Sequence, residues 1–247
     1  TYKELYEYSE AVSHDLNGIM RAVSNYTDFL YEDLAGKLTG EQRTYLENLK
    51  QVAKVGGSLI RELRDLAKIG KYAEAPQPID FDKIVNDATA FLRLNSEKSD
   101  LVLPDNWPEL QAEPNLVRMI LVNLLNNAAK FNRSDPVRIE VGWREHLPGR
   151  VEIFVSDNGI GIDPRYHERI FQVFKRLHTD KEYRGSGMGL AIVSKAVRYL
   201  DGCVRVESEP GRGSTLFVDL PLSKTPSTES QDDSDNPKQK GETGRLG

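Results

Sequence analysis

The chain has 247 residues, enough for one or two domains with real cores. Its formal net charge of −5 gives no large basic field, which argues against a nucleic-acid partner. One cysteine, Cys203, excludes an intramolecular disulfide and suits a reducing cytoplasm, and no apolar run approaches the ~20 residues that span a bilayer.

Thr1 is not a natural start, so further chain is expected ahead of it. Val12, Leu16, Ile19, Val23, Tyr26 and Leu30 recur at alternating steps of four and three, which predicts a long first helix with a heptad-like stripe. Tyr45, Leu49, Val52, Leu59, Leu63 and Leu66 repeat the pattern on a second helix, with Gly56 at the skipped position. Gly36 and Gly40 punctuate the turn between them, and Thr39 with Gln42 spells a capping box. One hairpin of this kind cannot bury both stripes, so two copies are expected to pair into a four-helix bundle, making a homodimer. Gly56-Gly57 weakens the second helix by roughly 1 kcal/mol per glycine relative to Ala. It reads either as a tolerated flaw or as a flexible point near Ile19.

Pro76 and Pro78 read as an interdomain linker. Beyond it the pattern predicts a helix over Phe81–Leu94, a strand over Leu101–Leu103 and a helix from Pro114 to Phe131. A strand pair follows over Val137–Trp143 and Val151–Ser156, then a helix over Met188–Leu200 and strands over Val204–Glu207 and Thr215–Leu220. This mixture reads as a two-layer α/β sandwich, making the whole an α+β chain. From Ser223 onward Leu246 is the only large apolar side chain, and the tail is expected to be disordered.

The polar chemistry gathers in three stretches. Asn123-Leu124-Leu125-Asn126-Asn127-Ala128-Ala129-Lys130 sets Asn123 and Asn127 on one helix face. Asp157-Asn158-Gly159-Ile160-Gly161 and Gly185-Ser186-Gly187-Met188-Gly189-Leu190 are glycine turns that let backbone N–H groups approach a ligand, although a lone turn of either kind has no need of one. Between them Lys175, Arg176, Lys181 and Arg184 read as a cationic lid, or as a solvated loop. His14 points away from the stripe and is expected on the bundle surface, where neutral imidazole is a competent nucleophile.

In this order the three stretches resemble the N, G1 and G2 boxes of the ATP-binding domain of sensor histidine kinases. Ser13-His14-Asp15-Leu16 is similar to the H box, Ile170 to His178 to the F box, and Gly211-Arg212-Gly213-Ser214-Thr215 to the closing G3 turn. The resemblance covers roughly residues 1–222. The spelling around His14 and in Glu182-Tyr183-Arg184-Gly185 is similar to phytochrome-associated kinases.

The resemblance implies a phosphoacceptor hairpin over 1–72, an ATP-binding domain over 73–222 and a tail over 223–247. It implies that His14 takes the γ-phosphoryl of ATP and that Asp15 orients its imidazole. Asp157 would accept the adenine amine, with Thr215 behind it. Asn127 would ligate Mg2+, with Asn123, Lys130 and Arg176 nearby, while Gly159, Gly161, Gly185, Gly187, Gly189 and Leu190 shape the nucleotide turns. Asn123 stands where related hydrolases of the gyrase and Hsp90 type carry a glutamate base, so ATP hydrolysis is a rival that the amide disfavours. A dimeric scaffold no longer transferring phosphate is the other rival. The implied partners are a second copy, a response-regulator receiver domain and an upstream sensor domain.

One departure stands out. Many histidine kinases carry Thr or Asn four residues after the His, to orient a water that dephosphorylates the regulator, and then Pro. Here Gly18 and Ile19 occupy those positions, which predicts an uninterrupted helix and weak phosphatase activity.

Overall fold

The computed structural model describes residues 2–34, 36–70, 74–92, 99–175, 177 and 186–222, with side chains from Asp15 onward apart from Phe91 and His146. Two long helices come first, α1 (Tyr2–Asp33) and α2 (Gly40–Lys68). α1 continues through Gly18 and Ile19, as a chain with no proline there permits. The expected capping box opens α2: Gln42 N donates to the Thr39 hydroxyl at 3.3 Å, and Thr39 N donates to Gln42 Oε1 at 2.9 Å. These bonds satisfy amides that a first helical turn leaves without partners.

The helices do not meet along the predicted apolar stripe. Thr27, Ala53 and Gly57 are buried between them, and a side chain at Gly56 would collide with Met20 Sδ at 2.8 Å. Leu16, Ile19, Tyr26, Leu30, Tyr45, Leu49, Val52 and Leu63 stay exposed. Small residues allow the closer backbone approach, so the hairpin packs on its small face and turns its large apolar side chains outward. The two glycines therefore serve packing, against Met20 rather than Ile19.

The second unit comprises β1 (Gln77–Pro78), α3 (Phe81–Leu92), β2 (Ser99–Val102), β3 (Gln111–Ala112), α4 (Pro114–Lys130), β4 (Val137–Leu147), β5 (Arg150–Asp157), α5 (Gly189–Tyr199), β6 (Cys203–Ser208) and β7 (Ser214–Pro221). The main sheet has the order β2-β4-β5-β7-β6, with β2 parallel to β4 and the remaining pairs antiparallel. One face packs on the helices, joining Leu124 and Leu125 of α4 and Val193 and Val197 of α5 to Val151, Ile153, Val155, Leu216 and Val218. Strand alternation sends the intervening residues to the opposite face. There Glu152 is buried under Arg144 (2.7 Å) and Arg205 (2.9 Å), and the Arg205 guanidinium lies 3.6 Å from the Phe217 ring centroid.

The proline segment is more than a tether. Gln77–Pro78 pairs antiparallel with Gln111–Ala112, and Ile79 N donates to Leu110 O at 3.0 Å. Pro78 lacks a donor, which suits the short edge it occupies. α2 also reaches the second unit: Ile69 joins its core, and Leu59 and Leu66 pack against it. Lys195 of α5 donates to Leu66 O at 2.8 Å, satisfying a carbonyl in the last turn of α2. The expected end of α3 at Leu94, and the tail from Ser223, fall outside the described residues.

Candidate nucleotide site

A cavity of about 370 Å³ opens between α4, the turn after β5, the start of α5 and the side of α2. α4 presents Asn123, Asn126, Asn127 and Lys130, four residues one turn apart or less along a single helix face. That helix is set by Glu113, whose carboxylate accepts from Asn115 N (3.1 Å) and Leu116 N (2.9 Å), with Pro114 in its first turn. Asn123 Nδ2 donates to Met119 O at 2.8 Å, which fixes the amide and turns its oxygen toward Gly189. The Lys130 ammonium lies 4.4 Å from the Phe131 ring centroid at the cavity wall.

Asp157 closes β5. Burial pushes its carboxyl up to about 6, against the opposing pull of the backbone N–H groups of Gly159 and Ser214. Gly159 N donates to Asp157 Oδ1 at 2.8 Å. A side chain at Gly159 would stand 2.5 Å from Phe131 O, and Ile160 N donates to that same carbonyl at 3.0 Å. The turn is therefore seated on the end of α4. Gly213, at φ 83, passes so close to the Asp157 backbone that no side chain fits. Gly211 N donates to Ile160 O at 2.8 Å, locking the two glycine turns together.

Gly187, Gly189 and Leu190 line the opposite part of the cavity. α5 begins there with no side-chain cap, so its first N–H groups are left to other partners. Such a helix start favours an anion. Among the described residues no group of three or more His, Cys, Asp or Glu side chains could hold a metal by itself. Any divalent cation here would depend on ligand oxygens together with an amide such as that of Asn127, the arrangement Mg2+ accepts readily.

Asn123, Asn127, Lys130, Asp157, Gly161, Gly187, Gly189 and Leu190 thus share one cavity, with Gly159 directly behind Asp157. Thr215 does not join them. Its hydroxyl meets Ser156 Oγ at 2.8 Å on the outer face of the sheet, and Ser214 lines the cavity instead. The reason is strand alternation: Asp157 pairs with Ser214, so Thr215 must point the other way. Arg176 and Gly185 lie outside the described residues. His14 falls within α1, but its side chain is not among those described, and Asp15 is exposed on that helix. Ser58, Glu62 and Asn126 also line the cavity without having been foreseen. Asn126 shares a face with Asn123 and could have been read from helical spacing, whereas nothing local marks Ser58 or Glu62.

Residues 112–224 match the family described as histidine kinase-, DNA gyrase B- and HSP90-like ATPase, and residues 5–71 match the His Kinase A (phospho-acceptor) domain. The chain belongs to the sensor histidine kinase family. It is 33% identical over 221 residues to the methanogenesis regulatory histidine kinase FilI of Methanothrix harundinacea, covering 88% of this chain and 25% of that one. It is 31% identical over 220 residues to the phytochrome-like protein Cph1 of Synechocystis, covering 89% of this chain and 29% of the relative. The crystal structure of full-length ShkA in complex with AMPPNP superposes with a TM-score of 0.66 at 27% identity, over 89% of this chain and 46% of that one. The chain therefore spans less than a third of the length of these two curated relatives.

Proposed function

We propose that this kinase core binds ATP with Mg2+ in the cavity and passes the γ-phosphoryl to His14. An aspartate of a response-regulator receiver domain would then accept it. The supporting observation is that the cavity of the ATP-binding unit is walled partly by α2, through Ser58 and Glu62. Asn17 and Met20 of α1 lie against Gly57 of α2, and the antiparallel run of the two helices brings the His14 backbone level with the turn between Ser58 and Glu62.

In this reading Asp157 accepts the adenine amine, with its carboxylate aimed by the Gly159 and Ser214 amides. Asn127 supplies an amide oxygen to Mg2+, and Lys130 and Lys175 meet phosphate. Mg2+ would contribute charge neutralisation on the phosphates, and the chain's task is mainly positioning. Asp15 orients the His14 imidazole. Asn123 is an amide and cannot deprotonate water, which preserves the phosphoryl group for transfer. We divide the chain into a phosphoacceptor hairpin over 1–72, an ATP-binding domain over 73–222 and a tail over 223–247. The outward apolar stripe of the hairpin supports a homodimer. An upstream sensor domain and a cytoplasmic location complete the reading.

Incubation with γ-labelled ATP should give acid-labile, alkali-stable label on the protein. His14→Gln should abolish it while leaving nucleotide affinity nearly unchanged. Label that survives this substitution would require a different nucleophile, and phosphate released without label would favour the hydrolase reading.

A further inference from the structure

One carboxylate in the cavity has no part in the roles above. Glu62 belongs to α2, yet Ser186 Oγ, from the turn that opens α5, donates to its Oε2. Ser58 Oγ donates to its Oε1 at 3.0 Å, so both carboxylate oxygens are held. Ser186 Oγ in turn accepts from Met188 N at 3.2 Å. The Glu62 charge is thereby connected to Met188, the residue that precedes α5, whose uncapped start favours an anion. Asn123 and Asn127 stand beside Gly189 in the same part of the cavity. Asp157 occupies a separate wall, formed with the Gly159 turn and β7.

We propose that Glu62 makes the cavity selective by phosphate number, acting as an anion built into the place a polyphosphate must enter. The inference rests on the nucleotide reading of the cavity. A polyphosphate arriving at the start of α5 meets like charge and competes for the Ser186 hydroxyl. Each added phosphate raises the repulsion, whereas an uncharged nucleoside held at Asp157 is indifferent to it. Expelling Glu62 also removes a direct bond between α2 and the α5 turn, leaving the Lys195–Leu66 bond and the Ile69 contact. Occupation by triphosphate is thus coupled to the loss of one of the contacts that join the ATP-binding unit to the hairpin.

The test compares ATP, ADP and adenosine binding to the full chain and to Glu62→Gln by calorimetry in the presence of Mg2+. Glutamine keeps the shape: its carbonyl oxygen can accept one serine hydroxyl and its NH2 can donate to the oxygen of the other, so the fold should persist. The expected result is a graded gain: roughly tenfold for ATP, less for ADP and none for adenosine. Glu62→Ala should show the same order. Gains equal across the three ligands, or absent, would overturn the proposal while leaving the kinase reading intact. Absence of ATP binding by the unsubstituted chain would overturn both.

Discussion

Asp157 carries two demands that conflict. Its burial disfavours the ionised form, whereas in the role proposed for it the ionised carboxylate is the stronger acceptor for the adenine amine. With its carboxyl raised to about 6, the group is largely charged at pH 7 and largely protonated at pH 5. ATP affinity should therefore fall on acidification, by roughly tenfold one unit below that value. Asp157→Asn should lose this protein-borne pH dependence and bind ATP more weakly by about 1–3 kcal/mol at pH 7, a gap that narrows toward pH 5. The sign for stability is opposite. A carboxyl raised in the folded state is destabilising at neutral pH, and stability increases as pH falls from 7 through 6. Asp157→Asn should accordingly raise the melting temperature of the ligand-free protein at pH 7. Calorimetric titration and thermal unfolding across pH 5–8 read both effects. Gly213 illustrates a different constraint at the same scale. Its φ of 83 and its passage over the Asp157 backbone leave no space for a Cβ. Gly213→Ala should destabilise the fold by at least about 1–3 kcal/mol, measured by urea unfolding.

α1 shows how an element records a change in chemistry. Its helix runs through Gly18, and a Cβ placed there meets nothing within 4 Å. Gly18→Ala should stabilise the helix by up to about 1 kcal/mol, seen as a higher melting temperature. Gly18 also offers no side chain to orient a water. A phosphorylated receiver mixed with this chain without ATP should therefore lose phosphate no faster than it does alone. Rapid loss that disappears on Gly18 substitution would contradict this account. α5 makes the converse point: a helix lacking a side-chain cap at its start, beside a cavity, is poised for an external anion.

At the scale of the whole molecule, the outward stripe of the hairpin is the dominant unpaired feature. Tyr26 is 68% exposed and Val52 67%, values that isolated packing of α1 on α2 cannot lower. Burying such side chains is favourable by about 1.5–3 kcal/mol each, which a second hairpin would supply. Light scattering should give a dimer, and Leu49→Glu combined with Val52→Glu should give a monomer that still binds nucleotide. A monomer without these substitutions would refute the bundle. The second large-scale feature is the lean of the ATP-binding unit on α2, through Ile69, Lys195 and Glu62, which makes the cavity a property of both units.

Local order was determined by the sequence itself, because its causes are local. The Thr39–Gln42 box, Pro114 at the start of α4, the strand pair β4–β5 and the glycine turns all act within a few residues. The same holds for the shared face of Asn123 and Asn127, which follows from helical period alone. What the tertiary structure decided required partners distant in the chain. The choice of packing face in the hairpin depended on how closely Gly56 lets α2 approach Met20. The pairing of Gln77–Pro78 with Gln111–Ala112 involves strands too short to show a period. Thr215 gave way to Ser214 because register against Asp157, and not the glycine turn before it, sets which side chain faces the cavity. Glu62 entered the site only through the docking of two units, a contact that no spacing along one helix encodes.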